Sequence, residues 1–217
     1  MLQEIILASA SPRRQQLLEQ IGVPFVVAAA EIDEESIENS SAPELVKQLA
    51  RRKAEQVARD KQQAIIIAAD TLVVLDEHIM GKPVNREDAF YKLSLLSGRH
   101  HQVMTGLCVL NSSRGICDTE VEITDVYFRT LSRQEINSYL DWGEWVDKAG
   151  GYGIQGKGAL LIEKIAGCYF NVVGLPINRL YLMLGKQGVN LLGGRTPDGL
   201  PVWNQGYAPG NASPGKT

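Results

Sequence analysis

The sequence predicts an α/β fold. Short apolar runs of strand length alternate along the chain with stretches of helical period, and several of those stretches open on a capping residue. Composition is the third observation: 44% of the 217 residues are apolar, enough for one large domain or two small lobes sharing a cleft.

The elements follow in order. Glu4 to Ala8 is a short apolar run of strand type, and Ser11 with Pro12 opens a helix whose apolar face is Leu17, Leu18 and Ile21. Gly22 stops that helix, and Val23 to Ala30 reads as a second strand. Ser41 with Glu44 has the spacing of a capping box, ahead of a helix with Val46, Leu49, Ala50, Val57 and Ala58 on its inner stripe. Ala64 to Ala69 is a continuous apolar strand, followed by Asp70-Thr71 and then Leu72 to Leu75. Asn85 with Asp88 starts a helix carrying Phe90, Leu93 and Leu96, ended by Gly98. Gln102 to Thr130 is strand-like with a turn at residues 111–115, and Ser132 with Glu135 forms another capping box. A glycine-rich segment (residues 150–158), an apolar strand near 160–165 and a helix from about Pro176 close the pattern.

The expected domain is residues 1–184. Residues 185–217, dominated by Gly, Pro, Asn and Ser, lose apolar periodicity and read as a disordered tail outside the chemistry. Net charge is −3, from 22 basic and 25 acidic side chains, so a dedicated nucleic-acid binder is not expected. Cys108, Cys117 and Cys168 lack Cys-x-x-Cys spacing and suggest reduced thiols. The apolar start, Ile5 to Ala10, is too short for a signal peptide or a membrane span. A cytoplasmic protein without a membrane partner is therefore expected.

Four groups of residues point to chemistry. Asp70 interrupts an apolar run, and a carboxylate there is costly unless it is paired or ligates a metal; a turn aspartate is the equal alternative. Lys53 falls within a helix's apolar stripe and needs a counter-charge, unless its stem packs while the ammonium stays in water. Ser9, Ser11, Arg13 and Arg14 put hydroxyls, a helix start and two guanidiniums together, which suits a phosphate as well as plain capping. Glu31 to Glu35 offers carboxylates for a divalent metal or forms a solvated loop, and Gly81-Lys82-Pro83 adds a loop lysine. Residues 151–157 imitate a P-loop, but Gly158 replaces the magnesium-binding hydroxyl and a strand follows instead of a helix. His78, His100 and His101 lack zinc spacing.

Taken together these motifs resemble the Maf family of nucleotide pyrophosphatases. The resemblance rests on Leu7 to Arg14, on Ala69-Asp70-Thr71 with Gly81-Lys82-Pro83, and on Ser97-Gly98 with His101 to Thr105. Asp147 to Gly156 and Asn171 to Pro176 extend it, so it runs from Leu2 to about Leu184. It implies a two-lobed, mixed-sheet fold of the Maf and ITPase type with a central substrate cleft. It also implies a homodimer and hydrolysis of a nucleoside triphosphate to monophosphate and pyrophosphate.

Carried over by position, Asp70 matches the general base, and Glu34, Lys53 and Lys82 align with catalytic positions. Ser9, Arg13 and Arg14 match the phosphate-binding start, while Arg13, Thr71 and Gln155 fall on positions tied to substrate choice. Asp70 and Glu34 are the implied ligands of Mg2+ or Mn2+. The Tyr152 to Gly156 form looks like the branch acting on dTTP and UTP. The alternatives are 7-methyl-GTP as substrate and, from another class, a regulatory inhibitor of septum formation.

Overall fold

The computed structural model describes residues 3–30, 32, 40–193 and 204–205. In chain order the elements are β1 (Glu4–Leu7), α1 (Pro12–Gln20), β2 (Val26–Val27), α2 (Ala42–Ala58), β3 (Ala64–Leu75), β4 (His78–Met80), α3 (Arg86–Leu96) and β5 (His100–Asn111). Then come β6 (Ile116–Phe128), α4 (Arg133–Asp141), β7 (Ile162–Ala166), α5 (Tyr169–Val173), α6 (Ile177–Lys186), β8 (Val189–Asn190) and β9 (Asn204–Gln205). The alternation expected of an α/β chain is present.

One mixed sheet organises these elements, with strand order β2-β1-β3-β5-β6-β7 and β4 paired to β3. β1 lies parallel to β2 and β3, and the pairs from β3 through β7 are antiparallel. The edge of β3 opposite β5 is shared by two short strands. β1 covers Ala64 to Ile67 and β4 covers Val73 to Leu75. Residues 68–72 between them have a strand neighbour on the β5 side alone. This gap is where the sequence puts Asp70 and Thr71.

Helices cover both faces, because alternate residues of the central strands are apolar on each side. α2 packs Ala50, Ala54 and Val57 against Ile6, Ile66, Ala68 and Cys108. Val46 of the same helix meets Val74 and Met104 further along. The opposite face carries two separate cores. One joins Leu17, Leu18, Leu180, Met183 and Leu184 to Ile65, Ile67, Leu107 and Val109. The other joins Leu93, Leu96, Ile136 and Leu140 to Val73, Val103, Val126 and Phe128. Thr71 and Thr105, register partners on β3 and β5, lie between the strand positions of these cores. The two-lobed character expected from the resemblance therefore takes the form of two cores on one side of a shared sheet.

Several local expectations are corrected. Asp70 is not at a strand end or in a turn: β3 runs unbroken from Ala64 to Leu75 through it. The strand expected over residues 23–30 shrinks to Val26–Val27, because β1 offers it only Ile6 and Leu7 as partners. Ser11 and Ser41 stand at N-cap positions, yet neither side chain caps its helix. Glu44 instead pairs with Lys47 at 2.6 Å, so the first capping box does not form. The second does: Ser132 Oγ accepts from Glu135 N at 3.2 Å and Glu135 accepts from Ser132 N at 2.8 Å.

At the C-terminal end α6 continues through Gly185 and Lys186, and Val189 is buried in the first core. Of the expected tail, residues 194–203 and 206–217 lie outside the described residues. No helix among the described residues is long and apolar enough to cross a membrane.

Candidate active site

Asp70 is 8% exposed, in the stretch of β3 left open between β1 and β4. Its side chain points to the α2 face, since Lys53 Nζ of α2 donates to Asp70 Oδ1 at 2.5 Å. The two side chains are 12% and 14% exposed, so the pair is largely out of water. An ion pair so placed is costly to break, because removing one partner strands the other charge; for buried pairs the loss is about 3–5 kcal/mol. Lys53 reaches this position because α2 lies close on the sheet. Gly106, register partner of Asp70, makes the approach possible: a Cβ there would fall 2.1 Å from Val46 O. The inward lysine expected from the apolar stripe thus finds its counter-charge in Asp70.

Thr71 points the other way, as the strand's period of two requires. Arg14 ties it to the first lobe, with Nε donating to Gly174 O at 2.8 Å, one terminal nitrogen to Ser9 Oγ at 3.0 Å and the other to Thr71 Oγ1 at 3.1 Å. Thr71 and Thr105 share a hydrogen bond at 2.9 Å, and Thr105 Oγ1 donates to Asn171 O at 3.2 Å. Asn171 Nδ2 in turn donates to Val103 O and Thr124 Oγ1, both at 2.9 Å. Ser9, Arg14, Thr71, Thr105 and Asn171 therefore form one polar belt at the seam between the two cores. Gly174 sits against it with φ 120°, a conformation that favours glycine and directs its carbonyl to Arg14. Burial lowers the Arg14 pKa, an effect opposed by the nearby Asp70 charge.

Arg13 is partly buried and makes no hydrogen bond among the described residues; its electrostatic partner is Asp147. Burial lowers its pKa and Asp147 raises it. Lys148, beside Asp147, is lowered by burial and then by the Arg13 charge. Asp147 holds φ 58°, in the left-handed region that non-glycine residues seldom adopt and that clusters at functional sites. Gln155 is partly buried, just ahead of a 3-10 turn (Gly156–Leu161) that runs directly into β7. Residues 159–161, expected to continue as a strand, belong instead to this 3-10 turn, and the strand begins only at Ile162. Lys82 is exposed in the loop between β4 and α3, without a hydrogen-bond or ion-pair partner among the described residues. Glu34 lies outside the described residues.

Sequence reasoning missed the roles of Thr105, Asn171, His101 and Tyr152. His101 Nε2 and Tyr152 Oη are 2.6 Å apart, buried beside Phe128, and link β5 to the loop that carries Gln155. Burial pushes the His101 pKa down to about 4, so the imidazole is neutral. The available signal was that polar residues interrupt otherwise apolar strands or flank the glycine-rich run. A further cleft of ≈ 370 Å³, lined by Asp76, Arg99, His100, Tyr127 and Glu163, lies at the far end of β5, away from Asp70.

A carboxylate with its lysine on one face of this stretch of β3, and hydroxyls with Arg14 on the other, are the class of groups that suits a small anionic ligand. The comparisons narrow that class. The family model described as Maf-like protein matches residues 4–187. A Syntrophomonas wolfei protein named dTTP/UTP pyrophosphatase is 48% identical over 186 residues, 86% of this chain and 98% of its own. Proteins of the same name from Desulforamulus reducens (48% identity, 88% and 100% coverage) and Symbiobacterium thermophilum (47%, 89% and 98%) match similarly. The Staphylococcus aureus Ham1 structure overlaps 58% of this chain and 72% of its own at a TM-score of 0.42 and 14% identity, too loosely to carry weight. The chain belongs to the Maf family.

Proposed function

We propose that this protein hydrolyses dTTP and UTP to the monophosphate and pyrophosphate, the activity for which its curated relatives are named. The observation that carries the reading is the Asp70 carboxylate, held by Lys53 at 2.5 Å in the stretch of β3 between its pairings with β1 and β4. In this reading Asp70 takes the proton from the water that attacks the α-phosphorus, and pyrophosphate leaves. Lys53 fixes the carboxylate's orientation, while Lys82 and Arg13 offset the charge of the phosphates.

A divalent cation fits the chemistry of the donors: hard carboxylate oxygens, with the substrate's phosphate oxygens completing the shell, suit Mg2+ or Mn2+. Asp70 would hold it, with Glu34 as the second carboxylate, and the cation would neutralise charge building on the triphosphate.

Ser9 and Arg14 shape the phosphate end. Each terminal nitrogen of Arg14 keeps a further N–H beyond those given to Ser9 and Thr71. The Thr71 hydroxyl is engaged on both sides, so its part in base choice falls to its methyl group and to its hold on Arg14. Gln155 offers an amide donor and acceptor to the base edge. A homodimer working in the cytoplasm completes the proposal. Incubation with dTTP, UTP and 7-methyl-GTP in parallel, with products identified, tests it. Pyrophosphate and monophosphate from the first two are expected; preferential cleavage of 7-methyl-GTP, or septation blocked by a protein inert on all three, would replace it.

A further inference from the structure

The α2 face of the sheet holds a feature the nucleotide chemistry does not use. Cys108 of β5 is fully buried and Cys117 of β6 partly so, with their sulfurs 3.5 Å apart. Cys117 is the register partner of Leu110, and Cys108 that of Thr119, so the thiols are diagonal neighbours on one face. A hydrogen bond joins them, and either sulfur can donate. It lowers the Cys117 pKa to about 7, against burial and with help from Arg51, while the same contact and burial raise Cys108. Cys117 is therefore the more readily ionised of the two thiols. Arg51 and Glu55 of α2 and Asp118 of β6 are the charged groups facing Cys117. A thiolate with some exposure, backed by a buried second thiol, is the arrangement of a reactive cysteine and its resolving partner.

We infer that Cys108 and Cys117 form a peroxide-responsive dithiol site that closes reversibly to a disulfide between β5 and β6. The Cys117 sulfur attacks one oxygen of hydrogen peroxide, the O–O bond breaks, and the departing hydroxide takes up a proton as water. Cys117 is left as a sulfenic acid. The Cys108 sulfur then attacks the Cys117 sulfur, the S–O bond breaks, and a second water leaves with the Cys108 proton. Two thiols have lost two electrons and the peroxide has gained them. Bonding brings the sulfurs from 3.5 Å to about 2.05 Å. Diagonal positions sit about 7–8 Å apart between backbones, beyond the usual span of a disulfide, so closing the bond requires β5 and β6 to shift toward each other. Its position matters for the site: Cys108 is two residues along β5 from Gly106, beneath the helix that carries Lys53.

Arg114 lies between the two cysteines, so trypsin puts them on separate peptides, residues 100–114 and 115–129. Folded protein treated with dilute hydrogen peroxide is expected to yield these two peptides joined, lighter by two hydrogens than their sum. The joined pair should come from monomer-sized protein on a non-reducing gel and disappear after dithiothreitol. Cys117→Ser should abolish the link, whereas Cys168→Ser should leave it intact. Peptides that stay separate, with Cys117 untouched or converted to sulfinic or sulfonic acid, would overturn the inference. So would a link formed only between copies of the chain.

Discussion

Asp70 and Thr71 are neighbours in sequence and belong to different halves of the molecule. On the α2 face, Asp70 pairs with Lys53 and, among the described residues, sits where β3 lacks a strand on one edge. On the other face, Thr71 is woven into a belt running from Ser9 through Arg14 and Thr105 to Asn171. The first face leaves a charged group available for reaction. The second commits its hydroxyls to holding two cores together and leaves only Arg14 N–H groups to spare. A strand's period of two is enough to separate them: one residue of β3 faces the reaction, the next braces it.

The contrast can be broken most sharply at Asp70. Asp70→Asn should cut dTTP turnover by on the order of 10³-fold while the circular-dichroism spectrum stays native, because the amide cannot accept the water's proton. Near-normal turnover in that variant would remove Asp70 from the role of base.

The bracing side should respond to pH instead. His101 is buried, with its pKa lowered from 6.5 to about 4. The unfolded chain therefore binds the proton more readily, and the stability from a neutral His101 is present above about pH 6.5 and lost as pH falls toward 4. The full span is on the order of 3 kcal/mol. Denaturant titrations at pH 7.5 and 4.5 should show that loss, and it should shrink in His101→Gln.

Thr71→Val tests the belt directly. It keeps the shape and leaves an Arg14 N–H without its acceptor and Thr105 without its partner, a cost of about 1–3 kcal/mol. Stability should fall more than the rate of phosphate cleavage; the reverse outcome would place Thr71 with Asp70 as a reacting group. The smallest effect separates two helix starts of similar sequence. Ser132→Ala should cost about 1 kcal/mol, because its capping box is formed, and Ser41→Ala should cost less, because its hydroxyl caps nothing. Equal melting-temperature shifts would contradict that difference.

Much of the scaffold was legible in the sequence because it depends on local pattern. A continuous apolar run marked the first half of β3, a strand-like pattern marked β5 and β6, helical period marked α2 and α3, and the Ser132–Glu135 spacing marked a real capping box. The identical logic failed at Ser41, where Lys47 lies one turn on and captures Glu44 first. The site was half legible. An aspartate inside an apolar run and a lysine inside an apolar stripe each signalled an unmet charge, and each proved to be the other's partner. The belt was not legible, because Arg14, Thr71, Thr105 and Asn171 carry no local pattern that distinguishes bracing from ligand binding.

By itself, then, the sequence determined which residues are buried, where helices and strands fall and which charges need company, since burial and period act over a few residues at a time. Tertiary structure alone decided that β1 and β4 share one edge of β3 and leave a gap in that edge at Asp70. It also decided that Gly106 lets α2 approach and that two cysteines nine positions apart meet across a strand pair. These are matters of register and close approach between segments distant in the chain, and no local preference encodes them.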